Sequence, residues 1–441
     1  MPSPGTGGVL PASARGEIPL PATRRPAATG HSGGAEPGAS RPTESPRPGC
    51  APALPLADHG LPRDTEPVRT VKATAAAVTV AIAAGAASVA AGRFASDAAL
   101  KASPGRPLPT EPRLTVHATT AGGITLTRDL ASLRPGTYGL AGNGSHAVVG
   151  PVLRGTPHPA DTVVRRLERV THGALEPGDK VWLTPNLHIG DPSSALGLET
   201  ADVDIPGELG ALPAWFVPAV RDTWVIAVHG LGTTREHPMN VMEFLNRYHF
   251  PVLDIAYRGD LGAPRPQDGL SHLGETEWRD LDAAIRYAVR YGAEQVVLYG
   301  WSTGATMALL AATRSALRER ISGLVLDSPV LDWKATLRAL ATARHTPGAL
   351  LPLAVRAAQG RTGLRDERLD GAHPDHLKVP TLLVHGPDDT IAPWGPSRRF
   401  AQRRPDLVTL HTVPQAPHGA MWNADPETYE EALRRFLTPL M

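Results

Sequence analysis

The rhythm of apolar and polar positions divides this chain into distinct stretches. From about residue 206 onward, strand-length runs that are almost wholly apolar recur: WVIAVHG (224–230), PVLDIAY (251–257), QVVLYGW (295–301), ISGLVLDSP (321–329), TLLVHG (381–386) and LVTLHTVP (407–414). Stretches of helical period separate them. In ETEWRDLDAAIRYAVRYG, Trp278, Leu281, Ile285, Ala288 and Val289 share one face and Gly292 follows as a stop. Strands apolar on both faces belong to a parallel sheet covered on each side by helices, so the alternation predicts an α/β domain over 206–441. The rhythm lapses at about 331–379, an insertion rich in Ala, Arg and Leu that is placed to form a lid.

Upstream, over 113–205, the runs are shorter, richer in β-formers and broken by Gly, Pro and Asn-Gly: LTVHATT, GITLTRD, GTYGLAG, AVVGPVL and KVWLTP. This pattern predicts a small β-rich domain, structural or substrate-shaping, with no recognisable chemistry of its own. Residues 93–112 read as a linker. Residues 73–92 (ATAAAVTVAIAAGAASVAAG) carry no charge and are long enough to span a bilayer, although mostly Ala. They predict an apolar helix acting as signal-anchor or transmembrane segment, with cleavage as an alternative because Val89, Ala90 and Ala91 are small. A slight excess of basic residues before this segment favours an enzyme outside the cytoplasm.

Composition sharpens this picture at the N-terminus. About 14 of the 45 prolines fall before residue 68, in a stretch without aliphatic periodicity, so residues 1–67 are expected to be a disordered tail. Val68 opens VRTVK directly before the apolar run, the layout of a short basic region ahead of a signal. The working protein is therefore expected to start near Val68. Charge is almost balanced, 44 basic against 43 acidic residues, with no basic stripe, so a nucleic-acid partner is not expected. The single cysteine lies in the tail, and His229, His385 and His418 lack metal-ligand spacing; no metal or cofactor is expected.

The candidate chemistry lies in the α/β part. Gly300-Trp301-Ser302-Thr303-Gly304 is a G-x-S-x-G sequence fed by a strand run and left by a small-residue helix, the context in which a serine is held exposed on a tight turn. An acid and then a histidine should follow. The strand run TLLVHG leads into Asp388 and Asp389, and LVTLHTVPQAPHG leads to His418. A neutral histidine takes the serine proton while a carboxylate fixes its tautomer, so Ser302, Asp389 and His418 are the expected catalytic set. His411, the rival base, sits inside a strand pattern. Developing negative charge on a carbonyl oxygen needs N–H donors; Thr303, after the nucleophile, and Leu231, in His229-Gly230-Leu231-Gly232 after another strand run, are the expected pair.

HGLG, GWSTG, HGPDDTIAP and APHGAMW together resemble the α/β-hydrolase superfamily, most nearly its lysophospholipase and serine-aminopeptidase-like branch, and are similar to prolyl-oligopeptidase catalytic domains. AYRGDLGAP with DGLSHLGETEWRDL is similar to membrane-anchored or exported actinobacterial hydrolases. The resemblance implies acyl transfer through an acyl-enzyme, and the acid of its HG-x-x-D pattern falls on Asp389, with Asp388 an extra carboxylate beside it. Three readings follow: a hydrolase of small-molecule esters or thioesters, a serine peptidase acting on peptides, or a non-catalytic membrane-tethered binding protein.

Overall fold

The computed structural model describes residues 88–101, 110–364 and 372–441. The chain divides into two units, 1–85 and 86–441, and every described residue belongs to the second. The expected tail, 1–67, and most of the apolar segment, 73–87, lie outside the described residues. Helix α1 (88–100) takes in the end of that segment and continues into the first part of the expected linker, through Leu100. Its buried positions, Gly92, Ala95, Ser96, Ala99 and Leu100, recur at helical spacing. Ala99 and Leu100 pack with Trp333, Leu337 and Val355 of the insertion. So 93–100 is a packed helix rather than a linker, because its small apolar stripe has a partner face that the local sequence does not reveal. Among the described residues no helix is long and apolar enough to cross a membrane.

Six antiparallel strands then close into a barrel: β1 (Leu114–Thr120), β2 (Gly123–Thr127), β3 (Tyr138–Gly142), β4 (Ser145–Val152), β5 (Thr162–His172) and β6 (Lys180–Thr184), in the order β1-β2-β5-β4-β3-β6. Leu114 paired with Val181 and Thr115 with Lys180 complete the ring. Inward alternation fills it with Leu114, Val116, Ile124, Leu126, Leu140, Val149 and Val181. The sequence pattern did not single out β5, whose run TVVRRLERVTH is charged. Its Arg165 is nonetheless fully buried, donating to the carbonyls of Gly150, Ser132, Arg134 and Gly136 at 2.7–3.1 Å. Those four bonds satisfy a charge that burial would otherwise make costly, and they fix the loop between β2 and β3.

After α2 (Pro192–Leu196) the main sheet begins: β7 (Ala201–Pro206), β8 (Ala211–Val217), β9 (Thr223–Val228), β10 (Val252–Ile255), β11 (Gln295–Trp301), β12 (Ile321–Asp327), β13 (Thr381–His385) and β14 (Val408–Thr412). Its order is β14-β13-β12-β11-β9-β10-β8-β7. Strands β9 to β14 are parallel, while β8 runs antiparallel to β10 and β7 to β8. The sheet thus starts at Ala201, earlier than the boundary at 205 read from the sequence, because the hairpin β7–β8 alternates like the preceding β-rich stretch while pairing with the main sheet.

Helices α3 (Met239–Arg247), α4 (Trp278–Arg290), α5 (Thr303–Arg314), α6 (Trp333–Ala343), α7 (Leu351–Thr362), α8 (Trp394–Arg403), α9 (Met421–Ala424) and α10 (Pro426–Leu437) complete the unit. Each central strand serves two cores. Val296 and Leu298 of β11 pack with Leu281 and Ile285 of α4, whereas Val297 and Tyr299 pack with Leu245 of α3 and Leu433 of α10. The insertion is α6 and α7, amphipathic helices whose Trp333, Leu337 and Val355 join Leu270, Leu273 and Ile391 in a separate cluster beside the C-terminal edge of the sheet.

Candidate active site

The parallel strands end on one edge, and the loops beyond that edge carry the expected residues. Strand β11 passes into α5 through Ser302, whose backbone has φ 55° and ψ −115°. A non-glycine residue holds such angles only where its surroundings over-determine them. Here the Ser302 N–H donates to the Asp327 carbonyl at 2.8 Å, and the first turn of α5 bonds back to the Ser302 carbonyl through Ala305 at 3.1 Å. A Cβ on Gly304 would lie 2.2 Å from the Val228 carbonyl oxygen, so only glycine lets α5 approach β9 this closely.

The Ser302 hydroxyl donates to Nε2 of His418 at 2.7 Å, and Nδ1 of His418 donates to Oδ2 of Asp389 at 2.7 Å. Asp389 is further held by His385 Nε2 at 3.0 Å and by the N–H groups of Ile391 and Ala392 at 2.8 Å each. The Ser397 hydroxyl meets the other nitrogen of His385 at 2.7 Å. Burial disfavours the Asp389 anion, but the charges of and bonds from His418 and His385 outweigh it and hold the carboxyl well below its ordinary range. Burial likewise disfavours protonated His418; the adjacent Asp389 charge and its hydrogen bond prevail, so His418 titrates above an ordinary imidazole. Asp388, exposed, accepts instead from the Gln415 N–H at 2.8 Å and ties the acid loop to the histidine loop. His411 lies within β14, with its Nε2 buried and unpartnered.

Thr303 opens α5, so its N–H has no acceptor within the helix, and neither it nor the Leu231 N–H donates to a protein acceptor among the described residues. A Cβ on Gly230 would stand 2.7 Å from Ser302 Cβ, which brings the Gly230–Leu231 loop against the serine. His229 bonds the Gly230 carbonyl and Asp260, both at 2.9 Å, and so orders this loop. The arrangement has a base on the hydroxyl, an acid on the base and free donors on the loop at the serine. It can perform nucleophilic attack by oxygen on a carbonyl.

Sequence reasoning missed a second buried carboxylate. Asp327, ending β12, accepts from the Ser328 hydroxyl at 2.7 Å and the Tyr429 hydroxyl at 3.0 Å. Ser328 in turn accepts from the N–H of Gly419, next to His418, at 3.1 Å. Burial raises Asp327 to about 6, with hydrogen bonds and nearby histidines offsetting part of the rise. The DSP at the end of ISGLVLDSP was visible, but nothing local shows that it lies under the histidine loop.

The barrel reaches the site as well. A cavity of about 290 Å³ is lined on one side by Tyr138, His146, Trp182 and Asn186 and on the other by Thr233, Pro417 and His418. A second cavity, about 660 Å³, is lined by Leu231 and Tyr257 with Asp97 of α1. Among the described residues no group of three or more His, Cys, Asp or Glu side chains could hold a metal ion.

A strained serine at a strand-to-helix turn, on a sheet of this order, defines the α/β-hydrolase fold. Residues 223–357 match the family model described as alpha/beta hydrolase fold. Residues 115–184, which cover the barrel, match a domain of unknown function, DUF8805. The uncharacterized protein YfhR of Escherichia coli O157:H7 is 25% identical over 238 residues, 51% of this chain and 76% of that protein. Among solved structures the chain is similar to an esterase of Pyrococcus furiosus, with 24% identity, TM-score 0.47, and 57% of this chain and 95% of that one covered. It is also similar to a serine hydrolase without lid from Xanthomonas campestris, with 18% identity, TM-score 0.40, and 55% and 95% covered.

Proposed function

We propose that this protein is a serine hydrolase of acyl esters. Ser302 Oγ attacks the ester carbonyl as its proton passes to His418 Nε2; Asp389 holds the imidazole in the required tautomer and balances its positive charge. The N–H groups of Leu231 and Thr303 receive the oxyanion. The C–O bond then breaks, His418 returns the proton to the departing alcohol, and water hydrolyses the acyl-Ser302 ester by the same route. The observation that carries this reading is the unbroken relay of two 2.7 Å hydrogen bonds from Ser302 through His418 to Asp389.

A panel of p-nitrophenyl esters set against aminoacyl-nitroanilides tests the bond class. Turnover of short-chain esters with little of the anilides is expected; the reverse order would make the protein a peptidase, and turnover of neither would leave a binding protein. An extracytoplasmic, membrane-tethered location is proposed separately, from the uncharged run 73–92. Recovery of the intact chain from a cytosolic fraction would overturn it.

A further inference from the structure

The end of β12 reaches both Ser302 and the loop that carries His418. The Asp327 carbonyl accepts from the Ser302 N–H at 2.8 Å, and the next side chain, the Ser328 hydroxyl, accepts from the Gly419 N–H at 3.1 Å. Adjacent residues on one strand end thus set the backbone of the nucleophile against the backbone of the base. We propose that Ser328, oriented by Asp327, is a positioning residue for His418, and that its contribution falls mainly in the step that hydrolyses the acyl-enzyme. The proposal rests on the hydrolase reading above.

A hydroxyl that turns freely is a poor anchor, and here its rotation is fixed. Ser328 donates its hydrogen to Asp327 Oδ1 at 2.7 Å, which leaves its lone pairs for the Gly419 N–H. The Tyr429 hydroxyl donates to Asp327 Oδ2 at 3.0 Å. Tyr429 therefore accepts from the Tyr299 hydroxyl, 2.6 Å away. Every hydroxyl hydrogen in this chain points toward Asp327. All four residues are buried, so water cannot stand in for any of these bonds. The Ser328 backbone has φ 50°, and its N–H is held by the Val384 carbonyl at 3.0 Å. A non-glycine residue keeps such an angle only where its surroundings over-determine it, and here the result is a hydroxyl aimed at the histidine loop.

The two half-reactions do not load this anchor equally. In the free enzyme both ring nitrogens of His418 are engaged, one with Ser302 and one with Asp389, each at 2.7 Å. Acylation removes the first bond, because the esterified Oγ has no hydrogen to donate. His418 must then take a proton from water as that oxygen attacks the acyl carbonyl, and return it to Oγ as the C–Oγ bond breaks. Through this half of the cycle the ring keeps one side-chain partner, so its place depends more on its own backbone. The Gly419 N–H belongs to the peptide that follows His418, and Ser328 fastens that peptide to the end of β12. Holding the base within reach of its target is what converts a random encounter into a productive one.

The test separates the two steps in the full chain. The rate of fluorophosphonate labelling reports attack by Ser302; acid-quenched mass spectrometry after a pulse of p-nitrophenyl butyrate reports the lifetime of the acyl-enzyme. Ser328→Ala removes the hydroxyl. Ser328→Gly removes it too and adopts φ 50° freely, so it carries the test should the alanine variant fail to fold. Both are expected to lengthen the acyl-enzyme lifetime about ten-fold, the effect of leaving one buried N–H unpaired, while labelling slows no more than about two-fold. A merely structural role would slow both steps alike. That result, an unchanged lifetime, or an acyl-enzyme that never accumulates in the variants would overturn the positioning role and leave the hydrolase reading standing. A wild-type chain with neither labelling nor turnover would remove both.

Discussion

Asp388 and Asp389 are neighbours in sequence with opposite surroundings, and the difference is one of solvation and partners. Asp389 is buried and accepts four hydrogen bonds; Asp388 is exposed and accepts one backbone N–H. Removing the charge from Asp389 leaves His418 with no anion to fix its tautomer. Asp389→Asn is therefore expected to lower kcat by about 10⁴-fold, whereas Asp388→Asn should change it only a few-fold. Equal losses would mean that loop order, not charge, matters. The histidine also sets a pH dependence. In the proposed mechanism His418 acts as a base only when neutral, and the Asp389 charge raises its pKa despite burial. Activity should thus be low in acid and rise with pH through an apparent pKa above the ordinary 6.5. Asp389, held far lower, stays ionised throughout. A kcat/KM profile for one ester gives that midpoint, and a midpoint below 6.5 would contradict this electrostatic picture.

At the scale of elements, the turn between β11 and α5 carries most of the positional information. The substitution Gly304→Ala would place a Cβ 2.2 Å from the Val228 carbonyl oxygen, a rigid neighbour. It is expected to cost about 3 kcal/mol in urea unfolding and to reduce ester turnover with it; a variant of unchanged stability would show that β9 and α5 can part. This turn was legible in the sequence because its requirements are local: two glycines, an apolar strand before, a small-residue helix after. The six apolar runs from 224 to 414 all became strands, five of them because burial on both faces writes itself as continuous hydrophobicity, whereas the edge strand β14 buries only Val408. The misses have the opposite character. Strand β5 was obscured by charge because Arg165 finds four carbonyl partners only once the barrel has closed. Helix α1 was hidden because its packing stripe is mostly small residues and its partner helix lies more than 200 residues away. Tyr138, His146 and Asn186 carry no motif; only barrel closure and docking bring them to His418.

For the whole molecule, the seam between barrel and sheet is what makes one site of two domains. Asn423 Nδ2 donates to the carbonyls of Thr137 and Pro185 at 3.0 Å, and Asn240 Nδ2 to Pro185 at 2.8 Å. Ala420, two residues past His418, packs into the barrel core. Through these contacts the loop carrying His418 is fastened to the barrel wall, while the insertion and α1 pack around Leu231. The central claim is that this assembly activates one serine. The most direct measurement is labelling of the intact chain with a fluorophosphonate, with the adduct located by peptide mass spectrometry. A single adduct on Ser302 is expected, absent in Ser302→Ala and formed roughly 10²–10⁴-fold more slowly in His418→Ala. An unlabelled wild-type chain, or an adduct on another residue with Ser302→Ala still reactive, would contradict it.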